Sequence, residues 1–329
     1  MRGQEELVRR LALKRRRQLG TMSEEAYAEL ELAVRDDPTR FVDDAQEEAF
    51  ALVAQALADL ERSQHDDDLL DDQQYLRQRE KRLVKLGAAC SQALQIDENC
   101  IDAALLFALS KDLPPSQTAV ALVELEEQCV QRSGDVETCV AGDAWTNVFE
   151  RPMLRLHNAI AHYCLCTARY SQARERSIDL LTKAPLDALG ARLTCVLAMA
   201  RLEDEDGFYW LEAREGHRGN AWFHLGRAIL LYKLGRMPAA RRALGGYDRL
   251  CTAGAYVLLQ PVFVDTYLPD RPSFSPQSFS ETVLAVHEAD PIISDIPDFA
   301  AWACDQPGFL DSAQDYARRN GMEWRDWEE

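Results

Sequence analysis

Apolar positions along this chain return every three to four residues, the period of a helix with one buried face. The pattern is clearest at residues 220–250. There Trp222, Leu225, Gly226, Ile229 and Leu230 form one stripe, and Gly235 ends the helix, since glycine accepts the left-handed turn a helix terminus needs. Pro238 opens a second helix, where its missing N–H costs nothing, and Ala240, Ala243, Leu244, Tyr247 and Leu250 make the facing stripe. The same plan governs residues 152–184, with Leu156, Ala159, Ile160, Tyr163 and Cys164 facing Tyr170, Ala173, Ser177 and Leu181. Between these lies a third pair, 187–202 followed by a shorter 207–214, with Ala191, Thr194, Leu197 and Leu202 against Phe208 and Leu211. The small residues allow close helix approach, and Trp222 and Tyr247 fill the remaining space.

Helical period extends to both sides. Ser23 before Glu24 and Glu25 marks a helix start. A long amphipathic helix is expected at 43–62, with Phe50, Val53, Leu57 and Leu60 on one face. Another is expected at 75–94, highly charged in its first half and burying Leu83, Leu86, Cys90 and Leu94. Asn99 and Ser116 are placed to cap helices at 101–110 and 116–131. Residues 133–150 look irregular, and four prolines (Pro261, Pro269, Pro272, Pro276) mark an extended crossing. Helices at 253–260, 280–289, 297–303 and 309–320 complete the chain, with Trp302 in the core and Trp324 and Trp327 covering the last helix. The fold class is all-α, with at least four hairpins, enough for neighbours to bury a continuous core.

The run Ala221-Trp222-Phe223-His224-Leu225-Gly226, followed by Tyr232-Lys233-Leu234-Gly235 and Ala240, resembles a tetratricopeptide repeat. Three further stretches resemble a group of bacterial tetratricopeptide-repeat proteins: Arg151-Pro152-Met153-Leu154-Arg155, the turn from Ala168 to Ala173, and Ala184-Pro185-Leu186-Asp187 running on to Gly190 and Arg192. Ala168 stands where that group has a turn glycine, and Ala184 where it has asparagine. The resemblance spans residues 83–268 and implies an α-solenoid of helical hairpins with extra N- and C-terminal helices. The expected divisions are a basic N-terminal arm at 1–20, a helical region at 21–80, the repeats at 81–268 and closing helices at 269–329.

Charge narrows the function. The chain of 329 residues has a formal net charge of −18, which disfavours nucleic-acid binding by the body as a whole. The first seventeen residues are locally basic, with Arg9, Arg10, Lys14, Arg15, Arg16 and Arg17, so an arm touching RNA, anionic lipid or an acidic partner is weighed against a helix whose charges pair with the acidic body. No apolar run reaches the roughly 20 residues of a membrane helix, and no signal peptide is evident. Nine scattered cysteines, several on helical stripes, read as reduced thiols in a cytoplasmic protein. Cys164 and Cys166 lie too close along a helix to share a zinc ion, and the acidic run 65–72 lacks the glycine-bearing loop of a calcium site. Neither metal, cofactor nor catalytic motif is expected.

The implied function is therefore non-enzymatic: a scaffold that receives a peptide or partner protein, carboxylate-bearing by preference, in the concave groove lined by first helices. Arg155, His157, His162, Arg192, His224 and Arg227 are the candidate groove residues, although Arg155 and Arg192 can equally pair internally with acids such as Asp187. The alternatives are a hydrolase with a pocket between the 133–150 segment and the solenoid, and a nucleic-acid adaptor using the N-terminal arm.

Overall fold

The computed structural model describes residues 3–65, 67, 70–133, 142–214, 219–264, 270–296 and 298–325. Among them the secondary structure is wholly helical, with sixteen α-helices and no strand. The chain divides into two compact units. One comprises Met1–Ile160, Lys183–Ala188 and Leu268–Asp270, and the other Ala161–Thr182, Leu189–Tyr267 and Arg271–Glu329. These boundaries cross the expected ones, because the division falls inside the helix that opens the first hairpin.

The first unit contains α1 (Gly3–Leu19), α2 (Glu24–Asp36), α3 (Ala45–Ser63), α4 (Asp72–Ile96), α5 (Ile101–Ser110), α6 (Pro115–Ser133) and the start of α7 (Arg151–Cys166). Successive helices pack on one another: α3 on α4, α4 on α5, α5 on α6. The local chemistry follows the sequence. Ser23 and Asp44 accept hydrogen bonds from Ala26 and Glu47 amides at the starts of α2 and α3. Asp71 and Gln74 form a reciprocal capping box at the start of α4. Two expected caps differ. Asn99 does not cap α5; its carbonyl accepts from Arg132, and Cys100 holds the cap position without a side-chain bond. Ser116 lies inside α6, which Pro115 opens, a position where proline needs no amide partner.

The first helix departs most from expectation. Far from a projecting arm, α1 lies on α2 and α3 and buries Leu7, Val8, Leu11 and Ala12 against Val34, Phe50 and Ala54. Four of its cations are engaged within the unit: Arg10 with Glu47 at 3.1 Å, Lys14 with Asp43 at 3.0 Å and with Asp44, Arg16 with Glu24 at 2.9 Å, and Arg17 over the Phe149 ring. The expected arm is thus a helix packed into the first unit. A second core joins α3, α4 and α5 through Val53, Leu57, Leu86, Cys90, Ala103 and Leu106.

The second unit contains the end of α7, then α8 (Tyr170–Lys183), α9 (Ala191–Leu202), α10 (Glu205–Arg214), α11 (Ala221–Lys233), α12 (Met237–Leu250), α13 (Gly254–Leu259), α14 (Phe279–Ser294), α15 (Asp298–Cys304) and α16 (Phe309–Asn320). The pairs α9 with α10 and α11 with α12 pack as the periodicity requires, and α9 lies on α11. Gly235 turns the chain at φ +68°, and Pro238 sits in the first turn of α12. At the α7–α8 turn Ala168 holds φ 58° while the Arg169 amide reaches back to the Cys164 carbonyl at 2.8 Å. The left-handed turn is thus made without a glycine, at a steric cost of about 1–2 kcal/mol.

Among the closing helices, α14 is longer than the sequence pattern suggests. Ser278 caps α14, and the helix continues through Pro291 to Ser294, past the expected end at Ala289. It packs on both α9 and α11. Tyr232 of α11 stacks on Phe299 and Trp302 of α15, with centroids 5.3 and 4.8 Å away, which leaves Trp302 only partly buried. Trp324 lies near Tyr256, and Trp327 falls outside the described residues. No helix among the described residues is long and apolar enough to cross a membrane.

Because Leu11 is 1 % exposed, Leu11→Ala leaves a cavity under α1 and lowers stability by about 2–5 kcal/mol. Urea unfolding measures this, and a change under 0.5 kcal/mol would mean that α1 is a detachable arm.

Candidate functional site

The six candidate groove residues are divided between the two units. Arg155 and His157 belong to the first unit, and His162, Arg192, His224 and Arg227 to the second. Arg155 is wholly buried. Its Nη1 donates to Glu6 Oε1 and Asp102 Oδ1, each at 3.1 Å, its Nη2 to Glu6 Oε2, and its Nε lies 3.4 Å from Asp270 Oδ1. Internal pairing therefore accounts for this arginine, with Glu6, Asp102 and Asp270 as partners and not Asp187. His157 faces Glu126 at 3.2 Å. Arg227 pairs with Glu212 of α10, and Arg192 is partly buried in α9. His224 is partly buried near Gly219, and burial holds its imidazole below the ordinary range.

The Arg155 cluster gathers four chain segments. Glu6 comes from α1, Asp102 from α5, Asp270 from the segment after the described break, and Arg155 from α7. Arg151, one turn earlier, donates to Glu6 Oε2 at 3.1 Å and to the Trp145 carbonyl at 2.8 Å. Burial disfavours the Arg155 charge, but Asp102, Asp270 and Glu6 more than offset it and push its pKa up. Burial pushes Asp102 up as well, against the pull of Arg155. A polar cavity of about 170 Å³ opens beside this cluster under Trp145. It is the nearest counterpart of the hydrolase pocket expected at 133–150, whose residues 134–141 lie outside the described structure. Its arginines cannot exchange protons at neutral pH, and Glu6 is tied to two of them. Glu5 and Asp270 line it as well, so the cavity sets carboxylates against guanidinium groups.

In the second unit the face made by α9 and α11 is covered by the chain itself. Glu288 of α14, wholly buried, accepts from Arg271 Nε at 2.9 Å and from Trp222 Nε1 at 2.8 Å. Arg271 also donates to the Leu189 and Gly190 carbonyls and to Thr194 Oγ1, at 3.0, 2.7 and 2.6 Å. Each ion thus finds hydrogen-bond partners in place of water. Cys166 Sγ lies 3.5 Å from His162 Nε2. Burial pushes the thiol up to about 12. It pulls the imidazole down to about 4, helped by Arg271 and His287 against Glu288. Both groups are neutral at pH 7, so this pair is not an activated nucleophile.

A ligand-sized feature lies elsewhere, between α3 and α4 in the first unit. This cleft measures about 710 Å³. Leu60 and Ala56 of α3 and Leu86 and Ala89 of α4 give it an apolar floor. Arg62 and Arg82 stand at its rim, paired with Asp59 at 2.9 Å and with Asp67. Lys81 and Lys85 stand one turn apart on α4, both exposed, and among the described residues neither has an ion-pair partner. The sequence shows the first half of α4 as a charged helix face; only the packing of α3 on α4 turns that face into a cationic rim over apolar side chains. Asp67 also accounts for part of the acidic run 65–72, as a carboxylate for Arg82. Among the described residues no cluster of metal-ligating side chains occurs. No family model, curated protein or solved structure matches the chain.

Two outcomes follow from the buried charges. Arg155→Met leaves the buried Asp102 carboxylate without its arginine and Glu6 with Arg151 alone, so it costs about 3–5 kcal/mol in urea unfolding, and adding Asp102→Asn restores part of that. His162 is held neutral in the folded chain, with a pKa of about 4 against 6.5 when free. Its contribution is complete above pH 6.5, declines as pH falls and is gone near pH 4, amounting to roughly 3 kcal/mol at most. His162→Gln should therefore flatten the loss of stability between pH 6.5 and 4; urea midpoints with equal pH slopes in both proteins would disprove the assignment.

Proposed function

We propose that this chain is a non-enzymatic binding scaffold, built of tetratricopeptide-like hairpins stacked within a unit in the manner of an α-solenoid, and that it holds a partner protein in the α3–α4 cleft. The carrying observation is that cleft: ligand-sized, apolar at its floor, and bearing two lysines unmatched by described acids in a chain of net charge −18. Three further features agree with binding over catalysis. The Cys166–His162 pair is neutral, the Glu6 and Asp270 carboxylates of the cavity beside Trp145 face the Arg155 guanidinium, and Arg10, Lys14 and Arg16 of α1 pair with internal acids. The face of α9 and α11, where tetratricopeptide proteins commonly receive a peptide, is occupied here by α14, which moves the binding surface to the first unit. The free thiols of the described cysteines, most of them buried, suit a reducing, cytoplasmic setting.

Blocking the cleft floor tests this reading. Leu60→Arg places a charge on the partly buried floor, whereas Leu76→Arg, on an exposed part of α4, serves as control. Affinity capture from the native host should lose its cleft-dependent partners at least about tenfold with Leu60→Arg and retain them with Leu76→Arg, at equal thermal stability. Identical capture by all three proteins would refute the cleft as the binding surface.

A further inference from the structure

Resting on that reading, we infer that the α3–α4 cleft receives an acidic amphipathic helix of a partner protein. Shape is the first reason. Two packed helices leave a groove into which a third helix lays its side-chain ridges, at an axis separation of about 8–10 Å. The lining of α4 runs from Gln78 to Ala89, a length of roughly 16 Å at the α-helical rise, which is three turns of a docked helix. Ala56 and Ala89 keep the floor shallow enough for a backbone to approach, while Leu60 and Leu86 offer apolar contacts to a stripe at helical spacing.

Charge is the second reason, and it selects the partner. Arg62 and Arg82 are matched by Asp59 and Asp67, so among the described residues the positive charge left over at this rim belongs to Lys81 and Lys85. Residues four apart on a helix stand about 6 Å apart on one face. Carboxylates at the same spacing beside the apolar stripe of a docked helix would meet both ammonium groups at once. A basic helix would bring cations to unmatched cations, and a single anionic headgroup would satisfy one lysine and leave its neighbour.

The test uses the full chain and a fluorescein-labelled fourteen-residue peptide, with leucines at helical spacing and glutamates at the flanking positions, alongside the same peptide with every glutamate replaced by lysine. Fluorescence anisotropy at low salt should show the acidic peptide binding at least about tenfold more tightly than the basic one. Lys81→Glu with Lys85→Glu, both on exposed positions, should abolish that preference without moving the melting temperature. Leu60→Arg should weaken the acidic peptide in the wild-type charge background. Equal binding of the two peptides, or an acidic-peptide affinity untouched by the lysine reversal, overturns the inference. So does retention on phosphatidylserine vesicles that depends on these lysines while the acidic peptide fails to bind, because the cleft would then take an anionic lipid. If the peptide preference fails while Leu60→Arg still removes captured partners, only the acidic-helix assignment falls; if Leu60→Arg leaves capture unchanged, the scaffold reading beneath it falls as well.

Discussion

One buried guanidinium organises the first unit. Arg155 has no exposed surface, yet it meets Glu6 and Asp102, which lie 149 and 53 positions away along the chain. Taking such ions out of water costs several kcal/mol each, and their mutual attraction offsets that only when geometry and hydrogen bonding are complete. The cluster therefore adds little net stability over an apolar core of equal volume. Its consequence is discrimination: any arrangement that slides α1 or α5 along α7 leaves a carboxylate buried without a cation. The neighbouring Arg10–Glu47 pair extends the same constraint to α3, whose far side forms one wall of the cleft. The position of α3 is thus set by ions as well as by Phe50 and Val53.

The second unit solves the same problem with another arginine. Arg271 and Glu288 are both nearly inaccessible, and their remaining polar atoms are satisfied by backbone carbonyls, Thr194 and Trp222. The effect is to fix α14 against α9 and α11. A helix fixed by a buried ion pair is not readily displaced, since release would expose Thr282, Val286, Ala289 and Ile292 and leave charges to be rehydrated one at a time. The face that the repeat resemblance assigns to a ligand is accordingly part of the core in this chain.

The helices were legible because periodicity needs only near neighbours. Ser23, Gly235, Pro238 and the whole of α16 lie where local chemistry puts them. Partnership was not legible, because it depends on segments remote in sequence. Arg155 in an amphipathic helix looks like a groove cation until Glu6 and Asp102 are brought beside it. The α1 arginines look like a basic arm until Glu47, Asp43 and Glu24 face them. The end of α14 was missed for a local reason. Proline usually halts a helix, yet here Pro291 is carried inside it, with its carbonyl accepting from Tyr170 at 3.3 Å.

The same remoteness hid Lys81 and Lys85, and it explains why they matter. In an acidic chain most cations find an acid, as Arg10, Arg62, Arg79 and Arg82 do. A lysine pair that finds none among the described residues gains nothing for folding from them and stays strongly hydrated at no cost. Set beside Leu60, Leu86 and Ala89, these hydrated charges keep a partly apolar cleft soluble while it is empty. Once an apolar surface covers the floor, the same ammonium groups lose water and gain strength from the lower dielectric, so they discriminate most at the moment of docking. In the proposed docking, burial at the floor would supply affinity, and the rim would decide which apolar surface is allowed to supply it.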